Sequence, residues 1–248
     1  MTETAQACNQ EVDDEVIAGL RDPLKHLPCK LLYDARGADL FERLTSVEDY
    51  YLTRAELSLL EAKLPAIAHA IGPHAHVIEP GSGAGRKTRM LLAALDRPAT
   101  YVPIDVAEDQ LVENATTLRA EFPDLDVLPV LGDYTRALAL PAALPADGTT
   151  VVFFPGSTIG NFEPDEARQF LRELARLAGP DAMILLGADA NANRDELLRA
   201  YDDREGVTAA FDLNVLAHIN ATHDANFDLS QFMHRAVWNS AKSRHAWR

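Results

Sequence analysis

Apolar positions follow two different rhythms along the chain. Up to residue 71 they recur at helical spacing: 12–27 carry helical signals, Leu40, Phe41 and Leu44 share one face of 38–46, and 54–71 continue until Gly72-Pro73 interrupts. Short apolar runs then take over at 76–80 (HVIEP), 99–106 (ATYVPIDV), 126–133 (DVLPVLGD), 149–156 (TTVVFFPG) and 182–189 (AMILLGAD). Between them lie amphipathic stretches such as KTRMLLAALD, AEDQLVENATTLRAEF and PDEARQFLRELARLA. Strands alternating with helices build βαβ units with right-handed crossovers and a parallel sheet. The pattern therefore predicts an α/β chain with a doubly wound, Rossmann-like sheet. After residue 190 the rhythm is helical again through DELLRAYDDREGVTAAFDLNVLAHINATH, and HRAVWNS reads as a strand.

Composition narrows the partners more than the fold. The 248 residues are 47% hydrophobic and 25% charged, as in an ordinary globular protein. A formal charge of -15, from 23 Lys+Arg against 38 Asp+Glu, would repel nucleic-acid phosphates and anionic membrane surfaces. Neither is expected as a partner. The opening MTETAQACNQEVDDEV lacks the basic and apolar regions of a secretory signal, so the cytoplasm is the expected compartment and Cys8 and Cys29 are read as free thiols. His74 and His76 have no third ligand in the pattern, and no metal site is expected.

The chemistry concentrates where strands end. The first strand runs into Glu79-Pro80-Gly81-Ser82-Gly83-Ala84-Gly85, and a helix follows near Lys87. Gly81 and Gly83 would let the backbone approach a ligand and turn into the helix N-terminus. The spacing is G-x-G-x-G, which suits a diphosphate less well than G-x-G-x-x-G does. An acid just before the glycines suits a ligand with a cationic amino-acid tail, as in S-adenosylmethionine. Asp105 ends the second strand, where a carboxylate can accept from two ribose hydroxyls; Asp133 and Tyr134 follow the third, placed to bond and cover an adenine edge. Each residue alone could equally be a helix cap, but together and in this order they favour S-adenosylmethionine. The fourth strand ends in FFPGSTIGN, without the pattern common to DNA-base methylating enzymes.

The stretches KLLYDARGADLFERLTSVEDYYLTRAEL, EPGSGAGRKTRMLLAAL, FFPGSTIGNFEP, LLRAYDDREGVTAAFDLNVLAHIN and FDLSQFMHRAVWNS cover most of residues 29–240. In them the chain resembles the histidine-specific α-N-methyltransferases of ergothioneine biosynthesis, which trimethylate the amino group of histidine to hercynine. The resemblance implies a class I methyltransferase sheet with a mainly helical substrate-binding subdomain. The corresponding boundaries are 1–54 and 191–248 for that subdomain and 55–190 for the S-adenosylmethionine domain. It also implies cofactor roles for Gly81, Lys87, Asp105, Asp133 and Tyr134. Tyr50, Asn161 and Tyr201 would bind the amino and carboxylate groups of a small amino-acid substrate, and Tyr33 and Phe41 would line the cavity around the amine. Core packing is the alternative for Tyr50, Tyr33 and Phe41, and a turn or cap role for Asn161. No strong catalytic base is apparent.

Family members continue beyond the WNS stretch with residues that recognise the imidazole and with the last strands of the sheet. This chain stops at Arg248. AMILLGAD is therefore expected at an exposed sheet edge, inviting self-association or a partner chain. Rival readings are a methyltransferase for another amino acid or amine, and a catalytically silent cofactor-binding member that needs a partner.

Overall fold

Both faces of the central strands are apolar, and in the computed structural model each face has its own cover. The structure describes residues 14–136, 139–140, 144–145, 147–239 and 244–247; Cys8 and the start of the 12–27 segment lie outside them. The chain divides into two compact units, one of residues 51–191 and the other of the residues up to Tyr50 together with those from Ala192.

In the first unit, strands β1 (His76–Pro80), β2 (Thr100–Asp105), β3 (Asp126–Val127), β4 (Val130–Leu131), β5 (Thr150–Phe154) and β6 (Met183–Leu186) form one parallel sheet. Its order is β3-β2-β1-β5-β6, with β4 also pairing β2. This is the expected doubly wound arrangement. Val77, Tyr101, Val151 and Phe153 bury against Leu60, Leu64, Leu91 and Leu118 on one side. Their neighbours Ile78, Val102 and Ile104 pack with Leu177 and Ala178 on the other, where Phe154 meets Phe170 and Leu174. The helices that supply these residues are α3 (Leu52–Ile71), α4 (Arg86–Ala94), α5 (Glu108–Glu121) and α6 (Pro164–Ala178). A reciprocal capping box between Glu163 and Glu166, with Pro164 in the first turn, starts α6.

Two differences from the pattern-based reading have local causes. DVLPVLGD forms two short strands instead of one, because Pro129 lies between them and has no N–H to give the ladder. The helical run after residue 190 is two helices, α7 (Arg194–Ala200) and α8 (Val207–Thr222). Gly206, at φ 72°, breaks it. Asp203 restarts it, its carboxylate accepting from the N–H groups of Val207 (3.0 Å) and Thr208 (2.7 Å).

The second unit holds α7 and α8 together with α1 (residues 14–21), α2 (Ala35–Thr45) and an antiparallel hairpin, β7 (Ala236–Asn239) with β8 (Arg244–Trp247). Val16 and Leu31 bury against Ile219 of α8, and Leu32 and Leu40 against its Phe211. In the sheet unit β6 borders β5 alone among the described residues, and Met183 and Ile184 are 40% and 49% exposed.

Candidate functional site

In the sheet unit the strand tips are held together by their own backbone. Gly81 donates to the carbonyl of Ile104 at 2.7 Å, and Gly132 to that of Asp105 at 2.9 Å. Gly81 stands at φ 72°, and a Cβ there would lie 3.2 Å from the Tyr134 ring, so both the backbone and its neighbour require glycine. Tyr134 is fixed in turn by an edge contact to Phe154 and a tilted one to Phe170, at centroid distances of 6.0 and 5.9 Å. The structure thus brings Gly81 and Tyr134 together, although 53 residues of sequence separate them.

Asp105 is half-buried at the tip of β2. One carboxylate oxygen accepts from the Gly83 N–H at 3.2 Å and the other from the Ala107 N–H at 3.1 Å. Each oxygen keeps a lone-pair direction for a further donor. Asp133 binds locally, its Oδ1 accepting from the Thr135 N–H (2.9 Å) and hydroxyl (2.6 Å), while Arg136 lies 3.6 Å from Oδ2. Glu79 does not face the turn from outside. It is enclosed in the core, where its Oε2 accepts from Thr88 (2.7 Å) and Tyr101 (2.6 Å), and burial outweighs these bonds to push its carboxyl up to about 7. His76 is likewise a core residue, bonded to Thr100 and to the carbonyl of Asp147.

Lys87 forms an ion pair with Glu56 of α3, a residue the sequence reading passed over. The Asn161 amide, at the end of the 3-10 turn Thr158–Asn161, is exposed and makes no hydrogen bond among the described residues. The loop before it is pinned from two sides: Asp189 donates its N–H to Ser157 Oγ at 3.0 Å, and Tyr51 donates its hydroxyl to Asp189. The Asn191 amide donates to that same Tyr51 oxygen at 3.0 Å.

In the helical unit, Tyr50 is buried and its ring meets Tyr201 edge-on at 5.9 Å. The Tyr201 carbonyl accepts from His234 Nε2 at 2.8 Å, and the other imidazole nitrogen lies 2.8 Å from Asp212. Tyr33 and Phe41 do meet, at 5.7 Å, and Phe211 joins them at 5.6 Å from each to complete a three-ring cluster. Glu56, Phe211, Asp212 and His234 all lie inside the stretches that carry the family resemblance, which was the available signal for them.

The donor set fits S-adenosylmethionine. The strand-tip carboxylate of Asp105 has free acceptor capacity, and the buried Ser82 hydroxyl inside the glycine turn has no partner among the described residues. A Cβ at Gly83 would meet nothing within 4 Å, so there is open space beside the turn.

A family model described as histidine-specific methyltransferase, SAM-dependent, matches residues 12–248. The chain is 41% identical over 233 residues to a histidine N-alpha-methyltransferase of Mycobacterium tuberculosis (strain CDC 1551 / Oshkosh), covering 93% of this chain and 71% of that protein. It is 40% identical over 243 residues to one from Mycolicibacterium smegmatis, covering 97% and 74%. A third relative, ergothioneine biosynthesis protein 1 of Neurospora crassa, is 34% identical over 204 residues, 81% of this chain and 23% of its own length. No helix among the described residues is long and apolar enough to cross a membrane.

Proposed function

The chain belongs to the family of histidine-specific, S-adenosylmethionine-dependent methyltransferases, and we propose that it methylates the α-amino group of L-histidine toward N,N,N-trimethylhistidine, a step of ergothioneine biosynthesis. The observation that carries the reading is Asp105, held by two backbone amides at a strand tip beside the Gly81–Gly85 turn. In our reading Gly81, Gly83, Asp105, Asp133 and Tyr134 hold the nucleoside side of the cofactor and Lys87 its carboxylate. Bound there, S-adenosylmethionine supplies an electrophilic methyl on a sulfonium.

The protein's task is to present an uncharged amine in line with that methyl. Asn161, with its amide exposed and unengaged, is suited to hold the amine. Tyr50, packed edge-on against Tyr201, joins Asn161 in holding the amine, and Tyr201 completes the set that binds the amino and carboxylate groups. Tyr33, Phe41 and Phe211 offer ring faces that tolerate methylammonium, so successive methylation does not expel the product for its charge. No base need act in the transfer itself, because the amine attacks through its lone pair and the proton leaves afterwards.

The same reading places the enzyme in the cytoplasm and lets the edge of β6 that is unpaired among the described residues pair with a second polypeptide, in the first place another copy of this chain. The exposed Met183 and Ile184 support that pairing. Two measurements test the whole. Calorimetry should detect binding of S-adenosylhomocysteine but not of NAD. Mass spectrometry of a methyl-transfer assay over the common amino acids should then give mono-, di- and trimethylated histidine and no comparable product from the others. Light scattering reads the association state, and a strict monomer refutes the pairing.

A further inference from the structure

Glu56 reaches from the early turns of α3 to three other segments of the sheet unit. Its Oε2 pairs with Nζ of Lys87, at the start of α4. The Gly156 N–H, beyond the tip of β5, donates to both carboxylate oxygens, at 2.7 Å to Oε1 and 3.0 Å to Oε2. Gly187, beyond the tip of β6, comes so close that a Cβ there would stand 2.0 Å from Oε1. No side chain could occupy that position while Glu56 keeps its place. The two side chains nevertheless keep some exposure, 21% for Glu56 and 19% for Lys87.

An ordinary exposed ion pair contributes little and needs no such setting. This one sits in a backbone cradle beside the glycine turn, with both side chains about a fifth exposed. Its consequence for Lys87 is electrostatic. A lysine already neutralised by Glu56 attracts a bare carboxylate weakly, and a second carboxylate next to Glu56 would be repelled unless a positive charge came with it. The methionyl tail of S-adenosylmethionine carries both charges on one carbon, an α-carboxylate and an α-ammonium. A Glu–Lys pair is the matching zwitterion. Three protein contacts leave the Glu56 carboxylate acceptor capacity for a further donor. Glu79, the acid that the sequence offers for a cationic tail, is buried, and its Oε2 is taken by Thr88 and Tyr101.

We propose that Glu56 binds the α-ammonium of the methionyl group of S-adenosylmethionine while Lys87 binds its α-carboxylate. The inference rests on the reading of the glycine turn as the cofactor site. Because S-adenosylhomocysteine keeps the same tail, Glu56 holds cofactor and product alike, and its loss falls on binding more than on the chemical step.

Calorimetry with three ligands tests it: S-adenosylhomocysteine, its analogue lacking the α-amino group, and 5′-methylthioadenosine, which lacks the whole amino-acid portion. The wild-type chain should bind S-adenosylhomocysteine about tenfold or more tighter than the deaminated analogue. Glu56→Gln, which keeps an acceptor for Gly156, should lose that factor for S-adenosylhomocysteine, bind 5′-methylthioadenosine as the wild type does, and bind the deaminated analogue at least as tightly, since Lys87 is then no longer neutralised. Equal weakening for S-adenosylhomocysteine and the deaminated analogue would overturn the proposal, leaving Glu56 as a support for Lys87 only. So would an unchanged affinity for S-adenosylhomocysteine. If Glu56→Gln fails to fold, the wild-type comparison decides alone, since equal affinity for the first two ligands is incompatible with an ammonium contact. Binding of none of the three by the wild type would overturn the cofactor reading itself and this inference with it.

Discussion

Nδ1 of His234 lies 2.8 Å from Oδ2 of Asp212, and only 2% of the histidine side chain is exposed. Burial of the ring opposes its charge, but the hydrogen bond and charge of Asp212 outweigh it and hold the imidazole above its ordinary 6.5. A group raised on folding stabilises fully below its unfolded pKa, and that contribution fades as pH climbs through the folded one. His234→Gln should therefore be destabilised by about 3 kcal/mol near pH 6, because Asp212 is left buried without its cation. Urea unfolding should show the gap to wild type narrowing as pH climbs from 6.5 through the raised folded-state value. A gap that widens with pH would contradict the pairing.

Glu79 works in the same direction from a different cause. Its carboxyl is raised from 4.5 to about 7 by burial, so ionising it costs stability as pH rises across that interval. Glu79→Gln keeps an acceptor for Thr88 and Tyr101 and removes the charge. Relative to wild type, the variant should gain up to about 3 kcal/mol between pH 4.5 and pH 7, judged by thermal unfolding at each pH. A constant difference would mean that Glu79 titrates like a solvated acid.

Asp105→Ala removes the strand-tip carboxylate. Binding of S-adenosylhomocysteine should weaken by about 1.5–3 kcal/mol, roughly ten- to a hundredfold. Calorimetry reads this directly, and an unchanged Kd would end the ribose assignment.

Asn161→Ala and Tyr50→Phe should separate substrate from cofactor. Each is expected to lower kcat/KM for histidine about tenfold, with S-adenosylhomocysteine affinity near wild type. Asn161 is exposed, so its truncation should leave the unfolding midpoint in place. Loss of both ligands together would point to a folding defect.

The central strands were legible because the apolar runs are long enough to be covered on both faces, and Val77, Val102 and Phe153 are all buried as that pattern requires. The break at Asp203–Gly206 was less so, since an acidic residue and one glycine inside a helical run do not distinguish a cap from a solvated face. Asp105 could be read from its place after a strand. Glu56 could not: in RAELSLLEAK it looks like any helix acid, and its partners Gly156 and Gly187 lie a hundred residues or more along the chain. Glu79 shows the opposite limit. Its position before the glycines suggested a ligand contact, whereas Tyr101 and Thr88 claim it from inside the core.

The hydrogen bond from Asn191 to the Tyr51 hydroxyl joins the last residue of the sheet unit to its first. That unit is therefore, in sequence, an insertion whose first and last residues lie within side-chain reach of each other. Its own termini could be linked by a few residues and new ones opened elsewhere without stretching the backbone, as in a circular permutation. Interior loops of that unit can differ in length without parting its first residue from its last, because the contact between those two does not run through them.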